Sequence, residues 1–296
     1  MEQRRGLDAY GYFEREGSLG RIQPAFADLV AAARSRIAEA YGSRLHSAYL
    51  YGSVPRGTAR PGRSDLDLLI ALHGEPAHDD RDIAEVLGQG LDQDFPEIDG
   101  VGVLLYGKDR LLSEQERYDL GWFLACLCTP LLGDDLAEHL PRYRPDAVLA
   151  RETNGDLDRV LPRWRERFEA ASEPADYRRL SRAFARHLVR TGLTLVMPRW
   201  GGWTSDLTES AEVFARYYPQ RADQMRAAAV VALAPVEDPA VVRRYVEDLG
   251  PWLAGEYTAR HGPKAPRREA AGESVTRSAP GPGRPRPASP PPDRRR

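Results

Sequence analysis

The sequence predicts an α+β protein: an N-terminal region of strands mixed with helices, then an all-α helical bundle, then a disordered tail. Three observations predict it. Strand-like and helix-like segments alternate ahead of residues 141–145. Behind that point the apolar residues recur at helical spacing. From about Pro263 the chain holds nine of its 24 prolines and almost no large apolar residue. Such a composition buries too little surface to offset the entropy lost on ordering.

The elements follow in order. In PAFADLVAAARSRIAEAY, the residues Phe26, Val30, Ala33 and Ile37 share one helix face. HSAYLYG reads as a strand, and DLDLLIAL as a second strand entering a buried sheet. HDDRDIAEVLGQGLDQ reads as a helix, and EIDGVGVLLYG as a third strand ended by Gly107. SEQERYDLGWFLACLC starts a helix at Ser113, with Glu116 three residues on as a capping box. The second half offers a long charged helix from Asp146 to about Ala171. It then offers a helix with Tyr177, Leu180, Phe184 and Leu188 on one face. Another is capped by Thr204, Ser205 or Asp206, with a Leu207, Ala211, Phe214 stripe. A last one carries Val242, Tyr245, Leu249 and Trp252. Short breaks between them suggest an antiparallel bundle. The resulting division is an N-terminal arm (1–19), a mixed α/β domain (20–141), a helical domain (142–260) and the tail (261–296).

Composition narrows the function. Of the 296 residues, 42% are hydrophobic and 29% charged, an ordinary globular balance. No apolar run is long enough to span a bilayer. The charged N-terminus has no signal-peptide core, so a cytoplasmic protein without a membrane partner is expected. The net charge is −2. The tail holds nine basic and three acidic residues, a net +6, which leaves the body at −8. A body that acidic argues against a nucleic-acid surface. The two cysteines, Cys126 and Cys128, lie on different faces of the expected helix. They read as buried thiols, not a disulfide or metal pair.

The chemistry concentrates in YLYGSVPRGTARPGRSDLDLLIAL, Tyr49 to Leu72. In a strand, residues two apart point to one face, so Asp65 and Asp67 project together. Two carboxylates side by side repel unless a cation sits between them. Hard oxygen ligands suit Mg²⁺, which fills the rest of its shell with water and phosphate oxygens. Gly52 admits a phosphate close to the backbone. Ser53 adds a hydroxyl and an N–H, and Arg56, Arg60 and Arg63 could meet phosphate oxygens, Arg56 foremost. A third acid is expected on the next strand. Asp99 is preferred to Glu97 because it sits closer to the apolar run from Val101, and its role would be a metal ligand or proton acceptor.

GSVPRGTARPGRSDLDLL resembles the Gly-Ser…Asp-x-Asp signature of the DNA polymerase β-like nucleotidyltransferase superfamily. It is most similar in style to the small bacterial branch that includes aminoglycoside nucleotidyltransferases. TPLLGDDLAEHLP also resembles the segment after the catalytic domain in that branch, and the helical second half matches its two-domain layout. The resemblance implies a mixed sheet with helices on one face, three carboxylates, two Mg²⁺ ions and an NTP. A nucleotide, AMP foremost, would pass to a hydroxyl of a small aminoglycoside-like acceptor with release of pyrophosphate. By the same resemblance Gly52 and Ser53 hold the β/γ phosphates, joined by Arg56 and Ser64 as nucleotide-binding candidates. Asp65, Asp67 and Asp99 are the catalytic and metal-binding set. Gly100 and Gly102 depart from the uninterrupted apolar strand usual after the third acid. A protein or tRNA acceptor is the alternative, as is a non-catalytic nucleotide-binding protein on the same fold.

Other polar and aromatic residues have plainer readings. His73 and His78 read as surface histidines, His187 as packing, and Trp200 and Trp203 as core. Glu209 and Glu212 read as a solvated helix face with a second potential use toward a cationic acceptor.

Overall fold

The computed structural model describes residues 5–266 and 276–277, the last pair by its backbone alone. These residues form two compact units that interleave along the chain. One comprises residues 17–109 and 128–135 with the pair 276–277; the other comprises residues 5–16, 110–127 and 136–266.

The first unit is built on a mixed sheet. Its elements are α1 (Ala27–Tyr41), β1 (Leu45–Tyr51), α2 (Ser53–Arg56), β2 (Ser64–Leu72), α3 (His78–Asp94), β3 (Ile98–Gly107) and β4 (Thr129–Gly133). Strand order is β4-β1-β2-β3, continued at the β3 edge by the two-residue β5 (Thr276–Arg277). β1 runs antiparallel to both β2 and β4, whereas β2 and β3 are parallel. Parallel strands need a crossover, and α3 supplies it. Leu66, Leu68, Ile70 and Leu72 of β2 share a core with Phe26, Leu29, Ala33 and Ile37 beside α3's Ala84, Leu87 and Leu91. Both long helices therefore cover one sheet face, as the resemblance implied. Period two sends the intervening residues, Asp65 and Asp67 among them, to the other face.

Reading from sequence did not find β4. TPLLG is short and carries a proline, which a strand accepts only where its N–H faces no partner. Here Pro130 sits on a strand at the end of the sheet order, beside Tyr49 of β1. Gly133 closes it with φ 70, where a side chain would collide with the His46 carbonyl.

The second unit is helical. The chain passes from β3 through α4 (Lys108–Leu111) to Ser113, whose Oγ accepts the Glu116 N–H at 3.3 Å, but this bond closes a turn and the helical segment starts later, at Arg117, not at Ser113 as the capping signature predicted. A π-turn (Arg117–Gly121) leads into α5 (Trp122–Leu127). Then come α6 (Ala147–Asn154), α7 (Leu157–Glu169), α8 (Pro174–Trp200), α9 (Leu207–Tyr217), α10 (Ala222–Leu233), α11 (Pro239–Arg244) and α12 (Gly250–His261). The single long helix expected over 146–171 is two, divided at Gly155. There a Cβ would overlap the Arg151 carbonyl. Of the three candidate caps before α9, Asp206 is the one used. Its Oδ1 accepts the Glu209 N–H at 2.8 Å, a contact worth about 1 kcal/mol. The core gathers Leu180, Phe184 and Leu188 with Phe214, Val242 and Leu249. Trp200 is buried, and Trp203 meets Phe13 and Trp122 edge-on. Both tryptophans are thus packing groups.

The tail expected from residue 261 lies outside the described residues from 267 on, apart from β5. Its first residues are held in place. Lys264 is 5% exposed, with Nζ 3.0 Å from Asp119 and 2.9 Å from Asp156. Cys126 and Cys128 are buried and not joined in a disulfide. Burial pushes the Cys126 thiol up to about 12, so it behaves as a small hydrophobe. Among the described residues, no helix is long and apolar enough to cross a membrane.

Candidate active site

The site starts from the strand that carries it. β2 buries Leu66 and every residue from Leu68 to Leu72, and leaves Ser64, Asp65 and Asp67 partly exposed at its start. Tyr51, the last residue of β1, is the register partner of Asp67 on one side, and Gly102 of β3 is its partner on the other. Gly52 follows Tyr51 directly. Its φ of 79 and ψ of −152 belong to a region open essentially to glycine. A Cβ there would overlap Asp67 Oδ2. The missing side chain thus lets the Asp67 carboxylate lie close against the loop.

Asp99 reaches the same neighbourhood through an irregularity. Ser64 pairs with Ile98 and Leu66 with Val101, so two residues of β3 stand against Asp65 alone. Ile98 and Val101 both pack in the helix-side core. In a regular strand, residues three apart could not share a face. The extra residue, with Gly100 at φ 130, absorbs the mismatch as a bulge. Asp99 is exposed beside Asp65 in register. Glu97 precedes the strand, and its carbonyl accepts the Gly62 N–H at 2.8 Å.

The loop between β1 and β2 is tied down. Ser53, Val54, Pro55 and Arg56 form the single turn α2, with Val54 and Pro55 buried and Ser53 and Arg56 partly exposed. Gly57 ends it at φ 75, and its carbonyl accepts from Gln23 Nε2 at 2.8 Å. Ser64 Oγ accepts the Arg60 N–H at 2.9 Å, closing the loop onto β2. Arg60 and Arg63 are exposed, in keeping with solvated loop charges.

These residues fit a divalent cation. Two carboxylates leave one strand face, Asp99 stands in the neighbouring register position, and a glycine keeps the space that a Cβ would fill. Elsewhere among the described residues, His78, Asp79 and Asp82 bring their ligand atoms within 4.8 Å of one another. All three are exposed at the start of α3, where His78 pairs with Asp82 at 3.0 Å. Glu212 is paired with Arg226, which lowers its carboxyl below the usual range, and Glu209 accepts from Thr204 at 2.6 Å. His187 lies edge-on to Trp164, and burial pulls it down to about 4. Sequence reading undervalued Gly102, taking it only as a break in the apolar run. A glycine inside a paired strand is itself a signal of close approach.

Residues 33–115 match the family described as "Nucleotidyltransferase domain". No curated protein matches the sequence. Among solved structures, the fold is similar to that of spectinomycin adenyltransferase AAD(9) from Enterococcus faecialis, determined with ATP and spectinomycin. The TM-score is 0.51 at 14% identity, covering 78% of this chain and 98% of that one. Residues 33–115 thus carry a nucleotidyltransferase domain, and the chain has the α+β fold expected for it.

Proposed function

We propose, starting from that nucleotidyltransferase domain, that the protein transfers a nucleoside monophosphate, AMP foremost, from an NTP to a hydroxyl of a small polycationic acceptor of aminoglycoside type. The observation that carries the reading is the close placement of Asp67 against Gly52, on the strand face that also carries Asp65. It joins a phosphate-loop candidate to a carboxylate pair.

Asp65 and Asp67, completed by Asp99, would hold Mg²⁺. When bound, the metal supplies positive charge against the phosphate oxygens and the charge that develops on them. Ser53, at the start of α2, offers its hydroxyl and N–H to the β/γ phosphates, with Gly52 leaving room for them. Arg56 at the end of the same turn adds a guanidinium for phosphate oxygens, and Ser64 keeps the loop closed. Asp99, exposed beside Asp65, takes the proton from the attacking hydroxyl. The acceptor oxygen bonds to the α-phosphorus, the α–β phosphoanhydride breaks, and pyrophosphate departs with the electron pair. Rate comes mainly from alignment and from fixed charge.

The acceptor class draws on two supports. The similar solved structure contains ATP and spectinomycin. The body of this chain is strongly acidic, which draws in cations over distance. The test incubates the protein with Mg²⁺, each of the four NTPs in turn and a panel of aminoglycosides and aminocyclitols. Pyrophosphate release and the mass of the acceptor are followed. A nucleotidylated acceptor is expected with ATP, with turnover in Asp67→Asn lower by about 10³-fold. Absence of product with every nucleotide, from protein that melts cooperatively, would remove the proposal.

A further inference from the structure

We propose that Gly102 is a positioning residue that holds the Asp67 carboxylate where it can ligate a divalent cation; the inference rests on the assignment of Asp65 and Asp67 to the cation site. Glycine in the middle of a strand weakens it, so its presence calls for a reason. Backbone conformation is not that reason. Gly100 has φ 130, but Gly102 is absent from the positive-φ glycines. Among the described residues, the strands do not crowd it either: a Cβ built at Gly102 meets one atom within 4 Å, Asp67 Oδ1, at 3.3 Å. That is closer than ordinary van der Waals contact.

The two flanking glycines act on different oxygens of one carboxylate. Gly52 makes room for Oδ2 and Gly102 for Oδ1. A carboxylate pushed from the Gly102 side moves toward the Gly52 loop, where close approach is already in use. An alanine at 102 would therefore shift Oδ1 by tenths of an ångström without disturbing the strand. Mg²⁺ tolerates such shifts poorly, because it demands near-ideal octahedral geometry. Val101, the preceding residue, points the other way and is 2% exposed in the helix-side core. Its truncation damages packing and leaves the carboxylate alone, which makes it a matched control.

The experiment titrates Mn²⁺ alone into the NTP-free full chain, with bound metal read by electron paramagnetic resonance. Wild type, Gly102→Ala, Val101→Ala and Asp67→Asn are compared, and each is melted without metal. Gly102→Ala is expected to weaken Mn²⁺ binding about tenfold, the effect typical of groups that orient a metal ligand, with an unchanged melting midpoint. Val101→Ala is expected to do the reverse. Wild-type Mn²⁺ affinity in Gly102→Ala, or failure of that variant to fold, overturns the proposal. If Asp67→Asn loses Mn²⁺ while Gly102→Ala keeps it, the site assignment stands and the role of Gly102 falls. If wild type binds no Mn²⁺, or Asp67→Asn binds as wild type does, the site assignment falls and takes the proposal with it.

Discussion

Among the described residues, the carboxylates around Lys264 and those at the start of β2 are treated differently by the chain. In the helical unit, Asp119 and Asp156 converge on Lys264, whose ammonium is buried and also lies 3.5 Å from the Thr153 carbonyl. The chain supplies its own cation there. In the sheet unit, Asp65 and Asp67 share one strand face. The chain's answer around Asp67 is the removal of side chains, at Gly52 and Gly102. The first arrangement holds a fold together. The second leaves room beside the Asp67 carboxylate, where we place the guest cation. Paired acids alone do not distinguish these cases; what stands beside them does.

The sharpest test of that contrast is Gly52→Ala. The new Cβ would overlap Asp67 Oδ2, and the backbone there is closed to alanine. Pyrophosphate release is expected to fall by about 10²-fold or more, and a variant with wild-type turnover would break the comparison from the sheet side.

Lys264→Met tests the other side. It leaves two carboxylates facing each other without their cation. Loss of one partner of a buried pair costs several kcal/mol. Asp119 and Asp156 are 27% and 29% exposed, so about 2 kcal/mol in urea unfolding is expected, with Mn²⁺ binding unchanged. If nucleotide transfer collapsed while stability held, the helical cluster would have to be counted as functional.

His187 sharpens the same point by pH. Its folded-state value is lowered to about 4 by burial, against 6.5 when exposed. Between those values the unfolded chain takes up a proton that the folded chain refuses. Stability is therefore lost as pH falls from about 6.5 toward 4. A drop of about 1 to 2 kcal/mol between pH 7 and pH 5 is expected, reduced in His187→Phe. The smallest effect belongs to Glu212→Gln. Its partner Arg226 is on the surface, and exposed pairs contribute little. Melting midpoint and turnover should both stay at wild-type values.

Much of this was legible before any coordinates. Strand period put Asp65 and Asp67 on one face, and the Gly-Ser turn with its spacing to Asp65 carried the resemblance. The helical stripes of the second half are the buried ones, from Leu180 to Leu188 and from Leu207 to Phe214. Local patterns report local structure, so these survive. β4 was not legible, because five residues with a proline carry no period and become a strand only by lying beside β1. The tail was read by composition as solvated throughout. Lys264 escapes that reading because two acids remote in sequence need its charge.

Sequence alone determined the chemistry on offer: which acids alternate with leucines, which glycines and arginines surround them, and which segments coil. Those follow from side-chain type and from the 2.0 and 3.6 residue periods. Tertiary structure alone decided what each acid stands next to. The bulge at Gly100 that brings Asp99 beside Asp65, the facing of Gly102 and Asp67, and the closing of Lys264 on Asp119 and Asp156 are all pairings across the chain. They depend on register and on the approach of distant segments, which no local period encodes.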